Sequence, residues 1–280
     1  MSQTMARSAK QRVQPIRKRR KQLPFPLNLY QTAIGKKWVM ALTGIGLLGF
    51  VIAHMLGNLH LYEGPVQINV YGEHLRTLLT PMFPRTMVLW LLRLGLAGMF
   101  FLHIHAAVSL TRMNLQSNKR YASSRDYIAV NFASRTMRWT GLIIGLYVLF
   151  HLADLTWGWW LGSDYVRGDV YHNVTQSLSN IPVGIIYVVA NVALAVHIFH
   201  GVYSLFQSLG INTPAINKAR RGLATSIAGL ILIGNLSFPV LVMVGFVNED
   251  NCHRPTDVEH AELAVCGTHS DTAAGGEVHK

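Results

Sequence analysis

Apolar residues gather into five long runs, at 36–60, 86–111, 138–161, 182–209 and 222–247, separated by polar, proline-bearing or charged connections. At about 1.5 Å of rise per residue, each run is long enough to cross a hydrocarbon core of about 30 Å as a helix. The pattern predicts an all-α membrane protein with three parts. Residues 1–35 form a polar N-terminal arm with Pro15, Pro24 and Pro26, 36–247 a five-helix transmembrane domain, and 248–280 an acidic tail with Gly, Thr and Ser. The connection 61–85 carries Pro65, Pro81 and Pro84 and predicts a short interfacial helix around Val70–Leu79. Trp157, Trp159 and Trp160 read as an interfacial aromatic belt at the outer end of the third span. No internal repeat stands out.

Composition agrees: of 280 residues, 50% are hydrophobic and only 14% charged, low for a water-soluble domain. The net charge of +12 resembles a nucleic-acid signal until its distribution is read. Arg7, Lys10, Arg12, Arg17, Lys18, Arg19, Arg20 and Lys21 lie in the arm, and Lys36 and Lys37 open the first span. Arg112, Lys119, Arg120, Arg125, Arg135 and Arg138 mark the second-to-third connection, and Lys218, Arg220 and Arg221 precede the fifth span. The other connections hold Glu63, Glu73, Asp164 and Asp169 instead. Positive charge stays inside, so the N-terminus is expected in the cytoplasm and the C-terminus outside, with no nucleic-acid partner. The arm reads equally as a topogenic tail drawn to anionic lipid or as a dock for a cytoplasmic subunit. It leads into a full span without a small-residue cleavage site, so no signal peptide is expected. Cys252 and Cys266 lie in the outer tail, as a disulfide or two thiols, and are too few to ligate an iron–sulfur cluster.

The chemistry is carried by histidines. His54, His103, His151 and His197 each occupy a different span, and an ionisable group in hydrocarbon is costly enough to read as functional by default. Counted from the charged span edges, His54 and His151 lie roughly 20–25 Å from the cytoplasmic side, and His103 and His197 roughly 22–27 Å from the outer side. Two layers about 15 Å apart result, the outer from spans one and three, the inner from spans two and four. In a four-helix bundle, alternate helices face each other diagonally, and inward side chains there hold cofactors. Two imidazoles at one depth suit the axial positions of a six-coordinate haem b, whereas zinc or copper usually takes three or four protein ligands. A lone histidine would as readily be a hydrogen-bonded packing residue; four at two matched depths are not. No span carries two histidines spaced to serve both layers, unlike cytochrome b of the quinol–cytochrome c reductase complex. His103 and His105 are about 200° apart around the helix, so one of them faces the layer. His197 and His200 share a face, and one can ligate while the other hydrogen-bonds.

These residues resemble the diheme cytochrome b anchor of succinate:menaquinone oxidoreductases, in the form with one five-span polypeptide. The strings are I-A-H-M-L-G-N-L around His54, L-H-I-H-A-A-V-S-L-T-R around His103, F-H-L-A-D-L-T-W-G around His151 and H-I-F-H-G-V-Y-S-L-F-Q-S-L-G from His197. The resemblance covers the four histidine-bearing spans and omits the arm and tail. It implies that the first histidine of each string ligates haem iron, selecting His103 over His105 and His197 over His200. Two haems b follow, an outer one on His54 and His151 and a cytoplasmic-side one on His103 and His197.

The implied complex is a succinate dehydrogenase of the respiratory chain and tricarboxylic acid cycle in a bacterial cytoplasmic membrane. A flavoprotein oxidises succinate, an iron–sulfur subunit delivers electrons, and this chain passes them to quinone, with menaquinone implied. The complex can form a higher oligomer. Some related fumarate reductases carry a Glu two residues before the fourth histidine, implicated in proton movement; Ala195 stands there in this chain. Quinone reduction consumes protons, which makes His60, Glu63, Glu73, Asp154 and Arg93 candidates beside the outer haem. Each also has a plainer reading, as solvated loop charge, helix-end partner or snorkelling cation. Rival assignments are the haem anchor of a hydrogenase or formate dehydrogenase, and a proton-coupled transporter with buried histidines.

Overall fold

A computed structural model of the chain describes residues 23–25, 27–118, 128–211 and 213–249. The arm as far as residue 22, the connection 119–127, Cys252, Cys266 and the tail from residue 250 lie outside the described residues. The described residues are helical and contain no strand. Eight α-helices follow in order: α1 (Leu27–Gln31), α2 (Ala33–Asn58), α3 (Pro65–Arg76), α4 (Met87–Asn118), α5 (Ile128–Leu155), α6 (Val170–Ser179), α7 (Ile181–Ser208) and α8 (Pro214–Met243). Five of them, α2, α4, α5, α7 and α8, are long and apolar enough to span a membrane, so the chain is an all-α, multi-pass membrane protein.

Span edges differ from the pattern of apolar residues in ways that local chemistry explains. The third span stops at Leu155, not 161, because the amides of Thr156 and Trp157 both turn back to the Leu152 carbonyl and Gly158 takes a φ of +66°. The exposed tryptophans 157, 159 and 160 therefore sit on the turn after the helix. The fifth span, α8, begins at Pro214, ahead of the apolar run, because Pro is suited to the first helical turn. Its basic first turns are accommodated by Arg220, which is buried with its guanidinium 4.3 Å over the Tyr203 ring and donates to the Tyr203 hydroxyl at 3.0 Å. The interfacial helix expected around Val70–Leu79 is α3, displaced toward its N-terminus, where Pro65 opens it.

Helix α7 is the central element. It packs against α8, α5, α2 and α6, and α2 packs in turn on α4. Two buried apolar clusters lie along it. The outer one joins Met55, Leu178, Val183, Tyr187, Phe238 and Val242, and the inner one Ile198, Val202, Ala224, Ala228 and Ile231. By contrast α4 buries none of its most apolar stretch against protein, and α5 almost none. Helices α4 and α5 thus leave nearly all of their apolar surface to lipid or to something other than this chain's side chains.

An internal repeat, absent from the reading of the sequence, becomes visible in the order of elements. The unit long helix, short helix, long helix occurs twice, as α2–α3–α4 and α5–α6–α7. Aligning α2 on α5 with one constant offset pairs Met40 with Met137, Thr43 with Thr140, Gly44 with Gly141 and His54 with His151. The two short helices pack together, and Asn69 of α3 joins them. Its Oδ1 accepts from the amides of Val170 (2.7 Å) and Tyr171 (3.2 Å), while its Nδ2 donates to Asp169 Oδ1 at 3.1 Å. Asp169 also caps α6 by accepting from the His172 amide at 3.0 Å. The α6 sequence is polar, so its helicity depends on these partners.

Two expectations follow for the outer face. Asn69→Ala leaves the first amides of α6 without their acceptor and should cost about 1–2 kcal/mol, read as a lower heat-unfolding midpoint of the protein in detergent. Glu73 accepts from Arg85 (2.6 and 3.1 Å) and Arg76 (3.1 Å), and these hydrogen bonds hold its carboxyl below the usual carboxylate range. Because the folded pKa is the lower one, this contribution is complete above about pH 4.5, the unfolded value, and fades as pH falls through the folded pKa. Glu73→Gln should therefore flatten the acid limb of the unfolding midpoint below that pH and leave the limb above it parallel to the parent.

Candidate metal centres formed by paired histidines

The four span histidines meet in two pairs. The rings of His54 (α2) and His151 (α5) lie with centroids 6.0 Å apart and planes at 80°, and those of His103 (α4) and His197 (α7) lie 6.4 Å apart at 64°. The depth argument had grouped them the same way. An iron bonded at about 2 Å to one nitrogen of each of two opposed imidazoles holds the ring centres roughly 6 Å apart. Both separations match that requirement and are too long for direct stacking. Among the described residues no three His, Cys, Asp or Glu side chains converge to hold a metal, so each layer offers two protein ligands. A porphyrin iron, which needs only the two axial ligands, fits that donor set.

Which nitrogen each ring presents follows from its hydrogen bonds. His103 Nδ1 lies 3.1 Å from the Met40 carbonyl and 3.2 Å from Thr43 Oγ1. A carbonyl only accepts, and Thr43 gives its own proton to the Val39 carbonyl at 2.7 Å. Nδ1 is therefore the protonated nitrogen, and Nε2 keeps the lone pair a metal requires. The same device recurs in the other half. His197 Nδ1 lies 3.2 Å from Thr140 Oγ1, which donates to the Thr136 carbonyl at 2.8 Å, and the Met137 backbone supplies the carbonyl partner. Gly44 and Gly141 sit one residue beyond each threonine. A Cβ there would stand 3.4 and 3.5 Å from Cε1 of His103 and His197, so only glycine or a single methyl leaves room for the ring.

The outer pair is held differently. His151 Nδ1 lies 3.3 Å from the Tyr187 hydroxyl, and that hydroxyl donates to Asp154 Oδ2 at 2.7 Å. Ser177 of α6 donates to the same oxygen at 2.6 Å. His54 stacks on Phe50 at 5.3 Å with planes 13° apart. It sits deep among the helices, yet much of its surface is uncovered by protein, as befits an imidazole facing a non-protein group.

The remaining candidates divide. His105 points away from the inner pair and bonds the Tyr30 hydroxyl at 2.6 Å, tying α1 to α4. Lys36 is buried against the same tyrosine, its Nζ donating to the Tyr30 carbonyl at 2.5 Å. His200 is partly covered and lies against Phe199. Arg93 is exposed over the Trp90 ring, the snorkelling arrangement. His60 meets Glu63 at 2.9 Å and lies 5.0 Å from the Tyr71 ring, at the outer end of α2. His172 lies between Glu249 and the Asp164 carbonyl, at the end of the bundle that carries α3 and α6. Met40, Thr43, Thr140, Tyr187 and Ser177 were missed by the sequence reading. The recurrent M-x-x-T-G ahead of His54 and His151 is the signal that would have found the first three; nothing local marks Tyr187 or Ser177.

With this geometry in view, residues 131–236 match the family model described as succinate dehydrogenase/fumarate reductase transmembrane subunit. That region spans most of α5 through much of α8 and contains His151, Asp154, Ser177, Tyr187 and His197. No curated protein and no solved structure matches the chain. Over that region the chain is similar to the transmembrane subunits of succinate dehydrogenases and fumarate reductases.

Proposed function

We propose that the chain is the membrane anchor and haem b electron-transfer subunit of a succinate dehydrogenase, in which succinate is oxidised on partner subunits. The observation that carries this reading is the pair of imidazole pairs, 6.0 and 6.4 Å apart, in a chain whose residues 131–236 match that transmembrane family. His54 and His151 would hold the outer haem, and His103 and His197 the cytoplasmic-side one. When bound, two haems b supply one-electron transfer between an iron–sulfur partner on the cytoplasmic face and a quinone, for which menaquinone is our assignment. The membrane would be a bacterial cytoplasmic membrane, with the N-terminus inside, the C-terminus outside, and a flavoprotein completing the complex.

This chain's residues do the holding and positioning. Met40 and Thr43, with Met137 and Thr140, fix the protonated nitrogens of the inner ligands and aim Nε2 into the layer. Basic residues on the inner connections favour docking of an acidic partner surface. At the outer end, His60, Glu63 and Tyr71 form a small titratable group beside the outer pair, suited to deliver protons to a reduced quinone. A histidine proton relay is less well supported. The rings of each pair are too far apart to hydrogen-bond, and the protonated nitrogens of the inner pair are committed to backbone and threonine.

Two measurements test the reading. His54→Ala should remove one b-type component from the reduced-minus-oxidised spectrum of membranes, and His103→Ala the other. A wild-type membrane fraction without any b-type signal would sink the assignment. Purification through this chain should bring down a flavoprotein and an iron–sulfur protein with succinate–quinone reductase activity; hydrogen- or formate-dependent quinone reduction in its place would select the rival anchor.

A further inference from the structure

The outer and inner layers differ in what stands behind their ligands. The inner imidazoles lean on neutral groups, a carbonyl and a threonine hydroxyl. His151 instead leans on a phenol whose proton is directed to a carboxyl group. Asp154 is 1% exposed, and its Oδ2 accepts from both Tyr187 (2.7 Å) and Ser177 (2.6 Å). Both hydrogen bonds are donated to this one oxygen, which serves purely as an acceptor, as a carboxylate oxygen does. Its other oxygen, Oδ1, is buried without a hydrogen-bond partner among the described residues. A buried polar atom left unsatisfied is costly and is expected only where it serves a purpose. Packing alone does not require it, because the matching position of the first half, by the offset that pairs His54 with His151, is Gly57.

We propose that Asp154 is a positioning residue for the outer metal centre, acting through Tyr187 on His151 to lower the reduction potential of the outer haem. The inference rests on the two-haem reading above and goes beyond it by naming what makes the layers unequal. By accepting the phenol's hydrogen bond, Asp154 leaves the Tyr187 oxygen lone pairs free to accept. His151 Nδ1–H then donates to that oxygen, which keeps Nε2 as the ligand nitrogen and makes the ring a stronger electron donor. A buried negative charge near the iron acts in the same direction, favouring the ferric state. Ser177 holds the carboxyl from α6, so the short outer helix is part of the device. His54 has no counterpart: Gly57 offers no side chain, and Phe50 covers its ring with an apolar face.

The test is a redox titration of both haems in membranes holding the assembled complex, with low-spin ferric resonances recorded alongside. The outer haem is identified as the one lost in His54→Ala. Asp154→Asn keeps the shape and an acceptor for Tyr187 but removes the charge, and Tyr187→Phe keeps Asp154 but removes the link. Each should raise the outer reduction equilibrium constant on the order of tenfold, which is about 59 mV for one electron, and leave the inner haem where it was. Tyr187→Phe should also alter the outer ferric resonance alone, because the His151 ring loses its orienting partner. An unchanged outer potential in both variants overturns the inference while leaving the two-haem reading intact, as does an equal shift of both haems. Absence of two b-type haems from the wild-type complex overturns the reading beneath it. If Asp154→Asn loses the outer haem, the potential in Tyr187→Phe decides by the same criterion.

Discussion

A ring nitrogen that carries a proton in hydrocarbon must give it to an acceptor, and the architecture is organised around that obligation. Leaving the donor unmet in the bilayer costs several kcal/mol, far more than a neutral hydrogen bond contributes in water. The imidazole extends away from the carbonyls of its own helix, so the acceptor comes from a neighbouring helix. For His103 it is the carbonyl of Met40, one helix away, with Thr43 as second partner. Thr43 can serve because its own proton returns to the Val39 carbonyl. Helices α2 and α4 must then sit at a fixed rotation and height, and Gly44 supplies the close approach. Helices α5 and α7 are fixed in the same way through Met137, Thr140, Gly141 and His197. The pairing of the histidines and the packing of their helices are one problem with one solution, used twice.

That doubling explains why the site was legible before the fold and the repeat was not. The hydrophobic runs gave the spans, and charge distribution gave the depths, because both are sums over many residues and tolerate local noise. Depth grouped spans one and three, and spans two and four, and those helices carry the ring pairs His54–His151 and His103–His197. The repeat is carried by a handful of positions in α2 and α5, and lipid-facing residues between them are free to differ as long as they stay apolar. Similarity averaged over the whole span is therefore weak, although Met, Thr, Gly and His recur at one offset. The partners of the histidines lie far away in sequence, which is why His103 could be chosen over His105 only through resemblance. The structure supplies the physical reason: His105 turns to Tyr30, on the side where α1 folds back.

What the pattern of residues misjudged follows the same logic. Helix α6 reads as a polar loop because its stability is not local. Asp169 caps it, Asn69 reaches across from α3, and Ser177 and Asn173 bond inward and to Val166. The third span was drawn too long because three tryptophans extend the apolar run beyond the point where the backbone turns. The start of α8 was drawn too late because Lys218, Arg220 and Arg221 look like loop charge. Arg220 instead lies buried on Tyr203, its charge facing an aromatic ring and a hydroxyl. In each case hydropathy reported the solvent a residue prefers, and a tertiary partner had changed that solvent.

The places where the two halves cease to match carry the most functional information. Each pair takes one histidine from each half, so identical halves would give the two imidazoles of a pair identical surroundings. The first half ends α2 with Gly57, over which Tyr71 closes so tightly that a Cβ would fall 2.6 Å from its hydroxyl. The second half has Asp154 at that position, and the space Tyr71 fills on one side is occupied on the other by a carboxyl bonded to Ser177 and Tyr187. The substitution is tolerable only at the outer end of α5, where a short polar helix covers the span and can supply a donor. Deeper in the membrane no such donor is at hand, and the inner pair correspondingly has only carbonyls and threonines behind it. Polarity behind a ligand is thus limited by depth, and the unequal environment of the two layers follows from where the bilayer lets a carboxyl group stand.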